Sequence, residues 1–250
     1  MRKIGIQLYM VRESAKKDFV GTLKQLAAMG YAGVEAAGFF GGLNPREVRA
    51  LLSDLNLTLF SGHVGLDGLG GDFDRLCADY AAMGAEYIGL AWLPPDLRTA
   101  EGYTRAASAL TKAAPVASRH GLRLFYHNHD FEFAPLCDGR TGMQILTTQT
   151  PPAVQFELDV YWAAYAGQNP ITEIGKLENR LPLLHVKDMD AQTRKDAITG
   201  EGILDMGAIL AAAETAGCDW FVVEMDNAPK GEMHSAQASM KNILTRGWAA

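Results

Sequence analysis

The feature that most constrains this 250-residue chain is a regular alternation between two hydrophobic patterns. Short apolar runs rich in Val, Ile, Leu, Phe and Tyr are typical of buried strands, and the longer segments between them have helical periodicity. Each strand and its following helix occupy roughly 30 residues, the length of one βαβ repeat. The eight predicted strands are 3–9, 32–37, 57–63, 86–92, 122–129, 154–159, 181–188 and 220–226. The eight predicted helices are 18–29, 45–55, 72–83, 101–120, 140–148, 171–178, 206–216 and 232–246.

Several predicted helices end at a glycine that leads into the next strand, as expected where the chain needs a left-handed backbone. These glycines are Gly30, Gly84, Gly121 and Gly217. No Pro/Gly-rich linker interrupts the eight strand–helix units, so we expect one domain, residues 1–250. The expected fold is α/β, a single closed (β/α)8 TIM barrel, because closure leaves no exposed sheet edge. An open doubly wound sheet is the alternative, but such sheets usually have fewer strands.

The composition excludes several other classes of protein. A hydrophobic content of 48% is too high for a disordered chain. The net charge of −6 removes the usual electrostatic basis for binding nucleic acid or an anionic membrane. No apolar run approaches the ~20 residues that span a bilayer. The three cysteines, Cys77, Cys137 and Cys218, are far apart, so we expect no disulfide framework and a cytoplasmic location.

Polar or aromatic residues stand at the C-terminal end of nearly every predicted strand, which is where TIM barrels carry their active sites. Burying polar groups there is costly unless they serve a purpose, so this coincidence is the main sequence evidence for a function. The residues are Gln7, Tyr9, Glu35, His63, Trp92, His127, His129, Asp159, His185, Lys187, Glu224 and Asp226.

Four of the strand ends together suggest a metal site. A Glu or His after the fifth strand would meet Asp159, His185 and Glu224 across one side of the barrel mouth. Carboxylates packed in a low-dielectric cavity repel one another, and a divalent cation removes that repulsion. For mixed carboxylate and imidazole ligands we expect Mn²⁺, with Co²⁺, Mg²⁺ and Zn²⁺ as alternatives. The competing interpretation is a set of separate polar groups, each hydrogen-bonded to a loop.

Four segments, in this order, resemble the sugar phosphate isomerase/epimerase superfamily, whose members have a xylose-isomerase-like TIM barrel. They are FYHNHDFEF (125–133), FELDVYWA (156–163), LLHVKDMD (183–190) and FVVEMD (221–226). The opening IGIQLYMVR, the GYAGVEAAG after the first helix and the GEGILD after the seventh strand are similar to that family as well. The resemblance covers nearly the whole chain and implies the fold and a metal site, but not which reaction is catalysed.

The resemblance implies that Asp159, His185 and Glu224 are metal ligands. Related ketose epimerases have a glutamate at the end of the fifth strand, where this chain has His127. The nearest carboxylate is Glu132, which we therefore expect to be the remaining ligand, although a histidine in that role stays open. His127 and His129 are then acid/base groups or substrate contacts, with capping of the strand end as the alternative.

A second departure from the epimerases lies three residues after the sixth-strand aspartate, where they have a substrate-binding histidine and this chain has Trp162. An aromatic ring there would stack on a sugar and argues against a simple ketose 3-epimerase. We also expect Glu35, His63 and Trp92 to contact substrate. The alternatives are an ion pair for Glu35, an ordinary loop histidine for His63 and packing for Trp92.

These residues predict a metal-dependent sugar isomerase or epimerase. The cation would stabilise the enediolate that forms when a proton leaves the carbon beside a carbonyl. Glu132, Glu224, His127 and His129 are the candidate proton-transfer groups, and Lys187 would donate to the developing oxyanion. A solvated or ion-paired Lys187 is the alternative.

Other functions remain open on the sequence alone. Loss of a hydroxyl or glycosyl group after the same proton abstraction would give a lyase, either an inosose-type dehydratase or an enzyme that cleaves keto-glycosides. A non-catalytic sugar-binding barrel is a further alternative, and a DNA-repair endonuclease of the same superfamily is disfavoured by the few histidines and the acidic charge. We expect a small-molecule sugar partner, no nucleic acid and no membrane, and homo-oligomer formation is left open. The loop 189–205 is the expected lid or specificity element.

Overall fold

The computed structural model describes residues 2–249, and its eight parallel strands close into a barrel, as predicted. Going round the barrel, the first seven strands pair in chain order, and the last strand pairs with both the seventh and the first. The barrel strands are β1 (Lys3–Gln7), β2 (Gly33–Ala36), β3 (Thr58–Val64), β4 (Tyr87–Leu90), β5 (Arg123–His127), β6 (Val154–Asp159), β7 (Leu183–His185) and β10 (Trp220–Val223). The short antiparallel strands β8 (Asp188–Met189) and β9 (Asp196–Ala197) form a hairpin outside the barrel.

All eight predicted helices are present, with boundaries that differ from the prediction by one or two residues. They are α2 (Phe19–Met29), α3 (Pro45–Asp54), α5 (Phe73–Met83), α6 (Ala100–Arg119), α7 (Gly142–Gln149), α9 (Pro170–Leu177), α10 (Met206–Thr215) and α11 (Glu232–Thr245). Three short helices were not predicted: α1 (Arg12–Lys17), α4 (Leu66–Gly70) and α8 (Val160–Tyr165). None of the helices within residues 2–249 is both long and apolar enough to cross a lipid bilayer.

Local signals fix several helix ends. Gly30 and Gly84 follow α2 and α5 with φ of 96° and 100°, in the left-handed region that glycine tolerates. At the start of α3, the Asn44 side chain accepts from the N–H of Glu47, and the Glu47 side chain accepts from the N–H of Asn44. This reciprocal cap satisfies two backbone donors that the helix leaves unpaired.

Six strands end earlier than predicted at the end that forms the barrel mouth, namely β1, β2, β4, β5, β7 and β10. The first strand ends at Gln7, whose side chain accepts from the N–H of Tyr9 at 3.0 Å and turns the chain into a 3-10 segment. The fifth strand ends at His127 and the seventh at His185. The polar residues just beyond these points therefore lie on the loops around the mouth rather than in the barrel wall.

An apolar plug closes the opposite end of the barrel interior. Phe60 and Trp220 stack with their ring centroids 4.1 Å apart, and both are buried. The remaining buried members of this plug are Tyr87, Phe125, Leu183 and Val222. This plug fills the end where the strands begin, whereas clustered carboxylates and histidines occupy the end where the strands finish.

Gly89 makes room for the plug, and its replacement tests this packing. A Cβ at Gly89 would overlap the Phe125 ring, so we expect Gly89→Ala to lower the free energy of unfolding by about 1–3 kcal/mol. Gly175 is the matched control, because it is exposed inside α9 with no atom near its Cβ position. We expect Gly175→Ala to raise the stability by up to about 1 kcal/mol. Urea denaturation of both variants measures this; equal effects would contradict the packing argument.

Candidate metal centre and active site

The polar strand ends surround a cavity of about 410 Å³ at the mouth of the barrel. Histidines and carboxylates that lie on or just after β3, β5 and β10 reach it, and aromatic rings form part of its rim. The lining residues are Tyr9, Ala37, His63, Val64, Gly65, Ala91, Trp92, His127, His129, Glu224 and Asp226.

Four buried residues next to this cavity form what we call the Asp159 cluster: His127, Asp159, His185 and Glu224. Each offers a ligand atom within 4.8 Å of the ligand atoms of the others. The Nδ1 of His185 lies 2.9 Å from Glu224 Oε2 and 3.9 Å from Asp159 Oδ2. Three of these residues are ligands that the sequence predicted, and the fourth is the histidine at the end of β5.

The start of α8 orients Asp159. Its Oδ1 accepts from the N–H of Trp162 at 2.9 Å, while the side-chain oxygen of Asn128 accepts from the Asp159 N–H at 3.0 Å. The other carboxylate oxygen, Oδ2, is buried without a hydrogen-bond partner in the described part of the chain. Because buried polar atoms are almost always paired, this oxygen fits a site that binds a cation.

Glu224 and His127 have charge states that suit a cation. His185 is protonated in the absence of one, because Glu157 and Glu224 outweigh burial and raise its pKa well above the usual value. Burial raises the pKa of Asp159 to about 7, although Lys187 and His185 oppose the shift. Burial also opposes ionisation of Glu224, but Lys187 and His185 outweigh it and hold the pKa of that carboxyl well below its usual range. Burial, reinforced by the charge of His185, lowers the pKa of His127 well below the usual value, so its imidazole is neutral and can donate a lone pair.

A second group, which we call the Glu157 cluster, consists of His63, His127, Glu157 and His185. Glu157 precedes Asp159 by two residues on β6, so both carboxylates point into the barrel. The sequence prediction missed Glu157, although its alternation with Asp159 in FELD was a signal that could have found it. Glu157 Oε2 lies 2.7 Å from His63 Nε2, 3.0 Å from His127 Nδ1 and 3.2 Å from His185 Nε2.

Glu35 lies behind these histidines rather than on the cavity wall. Its side chain is fully buried and points into the barrel, because it shares a face of β2 with Gly33, which contacts the interior plug. Its Oε1 lies 2.8 Å from His185 Nε2 and accepts from the Gln7 amide at 2.7 Å. The predicted direct contact with substrate is therefore not supported by its position; Glu35 is placed to fix the orientation of His185.

His63 lines the cavity, as expected for a residue near substrate, but both ring nitrogens have protein neighbours. Its Nε2 lies 2.7 Å from Glu157 Oε2, and its Nδ1 lies 3.3 Å from the Gln7 amide nitrogen. Burial alone would lower the pKa of His63, but the carboxylates of Glu35 and Glu157 raise it to about 10.

Glu132 belongs to neither cluster. Its Oε1 accepts from the Tyr126 hydroxyl at 2.5 Å, and its Oε2 accepts from the His129 N–H at 2.7 Å. Burial raises its pKa to about 7. The chain turns through a 3-10 segment, Phe131–Phe133, which carries Glu132 back against β5. The structure thus brings His127, and not Glu132, to the other three predicted ligands.

Lys187 has no exposed surface, and its ammonium group lies among carboxylates. It is bonded to Asp226 and lies 3.5 Å from Glu224 Oε2 and 3.6 Å from Asp159 Oδ2. These carboxylates outweigh burial and raise the pKa of Lys187 well above its usual value. Lys187 is therefore placed to offset the negative charge of the Asp159 cluster. An ion-paired lysine is one of the alternatives that the sequence left open.

The three other predicted site residues lie at different distances from the cavity. His129 lines it, and burial lowers its pKa to about 3, so its imidazole is neutral. Trp92 also lines it and is 46% exposed at the rim. Trp162 does not line it; its ring packs 5.6 Å from that of His129.

The segment 189–205, expected to be a lid, is anchored at its far end. The Asp188 carboxylate accepts from the N–H groups of Gly200, Gly202 and Leu204 at 2.9, 3.0 and 3.2 Å. The β8–β9 hairpin holds the near end. These bonds fix the path of the segment beside the mouth.

Replacement of Lys187 tests the charge balance of the mouth. In metal-free protein we expect Lys187→Met to lower the free energy of unfolding by about 3–5 kcal/mol, because it leaves buried carboxylates without their cation. The control is Lys16→Met, which removes an exposed pair with Glu13 and should have little effect. Urea denaturation at neutral pH measures both. A Lys187 variant as stable as the control would contradict the balance described above.

The comparisons with known proteins agree with this architecture. A family model described as a xylose isomerase-like TIM barrel matches residues 23–244. The inosose dehydratase of Lacticaseibacillus casei is 24% identical over 156 residues, covering 52% of this chain and 49% of the relative. This chain therefore spans about half the length of that relative. The inosose dehydratase of Geobacillus kaustophilus is 24% identical over 250 residues, covering 83% of this chain and 80% of the relative.

Solved structures share the fold. A sugar phosphate isomerase/epimerase from Parabacteroides distasonis superposes with a TM-score of 0.86 at 22% identity, covering 100% of this chain and 96% of that one. The IOLI protein, solved with a bound zinc atom, superposes with a TM-score of 0.77 at 15% identity, covering 99% of each chain. The family match extends over most of the sequence and confirms the resemblance found there: the chain belongs to the xylose isomerase-like TIM barrel family.

Proposed function

We propose that this protein is a divalent-metal-dependent isomerase or epimerase of sugars that transfers a proton at the carbon next to a carbonyl. The observation that carries the proposal is the Asp159 cluster, in which two carboxylates and two imidazoles meet beside a 410 Å³ cavity. A cavity of that size suits a small molecule such as a sugar.

The Asp159 cluster supplies a chemically consistent set of metal ligands. His127 is neutral, Glu224 is ionised, and the unpartnered Oδ2 of Asp159 faces His185. Two imidazoles and two carboxylates suit Mn²⁺, Co²⁺ or Zn²⁺ better than Mg²⁺, which prefers oxygen ligands. The bound zinc of the IOLI protein supports a metal in this family of barrels. A divalent cation bound here would act as a Lewis acid toward the carbonyl oxygen of the substrate.

Two groups that line the cavity are suited to proton transfer. Glu224 follows β10 and is ionised, whereas His129 follows β5 and is neutral, so each can accept a proton. In an isomerisation, one group takes the proton from carbon and returns it to the neighbouring carbon. In an epimerisation, one group takes the proton from one face of the carbon, and the other group, after taking up a proton from solvent, delivers it to the opposite face.

Other side chains would hold the substrate and the acid/base groups in place. Trp92 and Tyr9 are half-exposed at the rim, where their rings would stack on a sugar. Trp162 packs against His129 and would fix its orientation. Lys187 keeps Glu224 ionised from behind the cluster, and we assign it this role in place of direct oxyanion binding.

Dehydration is the second candidate function, and the names of the curated relatives favour it. Both relatives described above are inosose dehydratases, which supports a cyclic polyol ketone as substrate. Removal of the same proton, followed by departure of the hydroxyl group β to the carbonyl, would give an unsaturated ketone and water.

Metal removal tests the proposed chemistry. We expect chelated protein to lose at least ~100-fold of its catalysed exchange of substrate protons in D₂O, because the Lewis acid is gone, and Mn²⁺ or Co²⁺ to restore it. Asp159→Asn should mimic chelation. Glu173→Gln is the matched control, since Glu173 is a buried carboxylate on α9 paired with Lys176. Proton NMR on ketoses, inososes and keto-glycosides measures the exchange; full exchange without metal would overturn the proposal.

The products separate the two candidate reactions. An isomerase or epimerase should give products of unchanged mass, whereas a dehydratase should give a product lighter by one water and with the ultraviolet absorbance of a conjugated ketone. Mass spectrometry and absorbance on the same reaction mixtures measure this. We expect unchanged mass; release of water would replace the first candidate with the second.

A further inference from the structure

We infer that Arg98 is a positioning residue for His129 and acts through the ring of Phe131. The inference rests on the proposed function in one respect, which is the transfer of a proton by His129. Arg98 follows the 3-10 segment Pro95–Leu97 on the loop after β4, whereas His129 and Phe131 lie on the loop after β5. The two loops follow strands that are paired neighbours in the barrel.

The imidazole of His129 is held by aromatic rings rather than by hydrogen bonds. Its Nδ1 is buried without a hydrogen-bond partner in the described part of the chain. The ring of Phe131 stacks on it, with the centroids 5.3 Å apart and 10° between the planes, and the ring of Trp162 packs 5.6 Å away. A proton-transfer group must lie within hydrogen-bond reach of its target. The direction in which His129 faces the cavity therefore depends on where these rings lie.

Arg98 holds the ring of Phe131 in place. Its guanidinium carbon lies 3.5 Å from the centroid of that ring, which is a stacking distance, and 5.3 Å from the centroid of the Trp92 ring. Its Nε donates to the carbonyl of Leu93 at 3.0 Å, which ties the guanidinium to the loop after β4. A planar guanidinium stacks on aromatic faces in a way that a lysine ammonium does not reproduce. Because Phe131 is only partly buried, this contact restrains a ring that the core does not fully enclose.

The charge of Arg98 supports the same histidine through its main chain. The Oε2 of Glu132 accepts from the His129 N–H at 2.7 Å. Burial raises the pKa of Glu132, and Arg98 opposes that rise, so it favours the ionised carboxylate that accepts this bond. No carboxylate takes Arg98 away from this position, because the arginines that form ion pairs among residues 2–249 are Arg2, Arg119, Arg123 and Arg140.

The same guanidinium contacts Trp92, so it links the place where substrate would bind to the proton-transfer group. Trp92 lines the cavity at the rim, and Phe131 packs behind His129. Arg98 would therefore set the distance between a bound sugar and His129. A displacement of about 1 Å between reacting groups costs on the order of 100-fold in rate. Loss of Arg98 should consequently lower kcat more than it changes KM.

Kinetics of the full chain test this role on the sugar that exchanges fastest in D₂O. We expect Arg98→Gln to lower kcat for proton exchange about 10–100-fold. Arg98→Lys should remain slow because it keeps the charge but loses the stacking plane. The effects of Arg98→Gln and Phe131→Leu should not add in the double variant, since both break one contact. The matched control is Arg123→Gln, because Arg123 covers the Tyr87 ring at 4.1 Å at the opposite end of the barrel and should leave kcat unchanged.

A second measurement needs no substrate. In proton–carbon NMR spectra of protein with labelled histidines, the ring signal that is missing from His129→Gln belongs to His129. We expect Arg98→Gln to shift this signal, because the Phe131 ring is released, and Arg123→Gln to leave it in place. Arg98→Lys provides the same comparison if Arg98→Gln does not fold.

The outcomes distinguish this inference from the proposed function. A shifted His129 signal together with a lower kcat supports the role of Arg98. An unshifted signal, an unchanged kcat or full activity in Arg98→Lys overturns that role, and the proposed function stands as long as the unaltered protein shows metal-dependent exchange. If the unaltered protein shows no such exchange, the proposed function fails, and the catalytic role of Arg98 fails with it even where the His129 signal shifts.

Discussion

The orientation of the His185 ring is the constraint on which the rest of the site depends. Both ring nitrogens face carboxylates, Nδ1 toward Glu224 and Nε2 toward Glu35, at 2.9 and 2.8 Å. These partners come from β10 and β2, on either side of β1, so the imidazole connects strands that are not neighbours. The bond from Nε2 to Glu35 fixes the direction of the ring, so Nδ1 would be aimed at a metal once it has lost its proton.

The barrel can hold so many buried polar groups because they lie at one end of its interior and the apolar plug lies at the other. The plug of Phe60, Trp220 and their neighbours supplies packing at one end, and the carboxylates and imidazoles occupy the other. Burying ionised groups is costly unless they are paired or bind a cation. The pairing is carried here by histidines within the barrel and by Lys187 behind it, which keeps the carboxylates together in the absence of metal.

The sequence predicted most of the architecture because its signals are local. The helix ends follow from caps such as Asn44 and from Gly30 and Gly84, and the strand count follows from the apolar runs. The three short helices escaped prediction because helices of five or six residues depend on tertiary contacts rather than on their own periodicity. Within the site, Asp159, His185 and Glu224 lie together at the mouth, and the sequence could bring them together because all three stand at strand ends. Glu132 was preferred over His127 on chemical type alone, and the turn that takes Glu132 away from the mouth has no clear sequence signal. The pairing of Glu35 with His185 joins residues 150 positions apart, which a single sequence does not reveal.

In such a barrel, the walls of the cavity would determine which reaction is catalysed more than the Asp159 cluster does. Isomerisation, epimerisation and dehydration all begin with loss of a proton beside a carbonyl, so all three use the same cluster. They differ in where a proton is delivered next, and in the proposed reactions that would depend on His129 and Glu224, which both line the cavity. In the proposed function, rim residues such as Trp92 would set how the sugar ring is turned toward those groups. The strands fix the cluster, whereas the loops that follow them build the walls of the cavity. In such a barrel, a few substitutions in the loops can therefore change the reaction that is catalysed. A solved sugar phosphate isomerase/epimerase shares this fold, and the inosose dehydratases are similar to this chain in sequence.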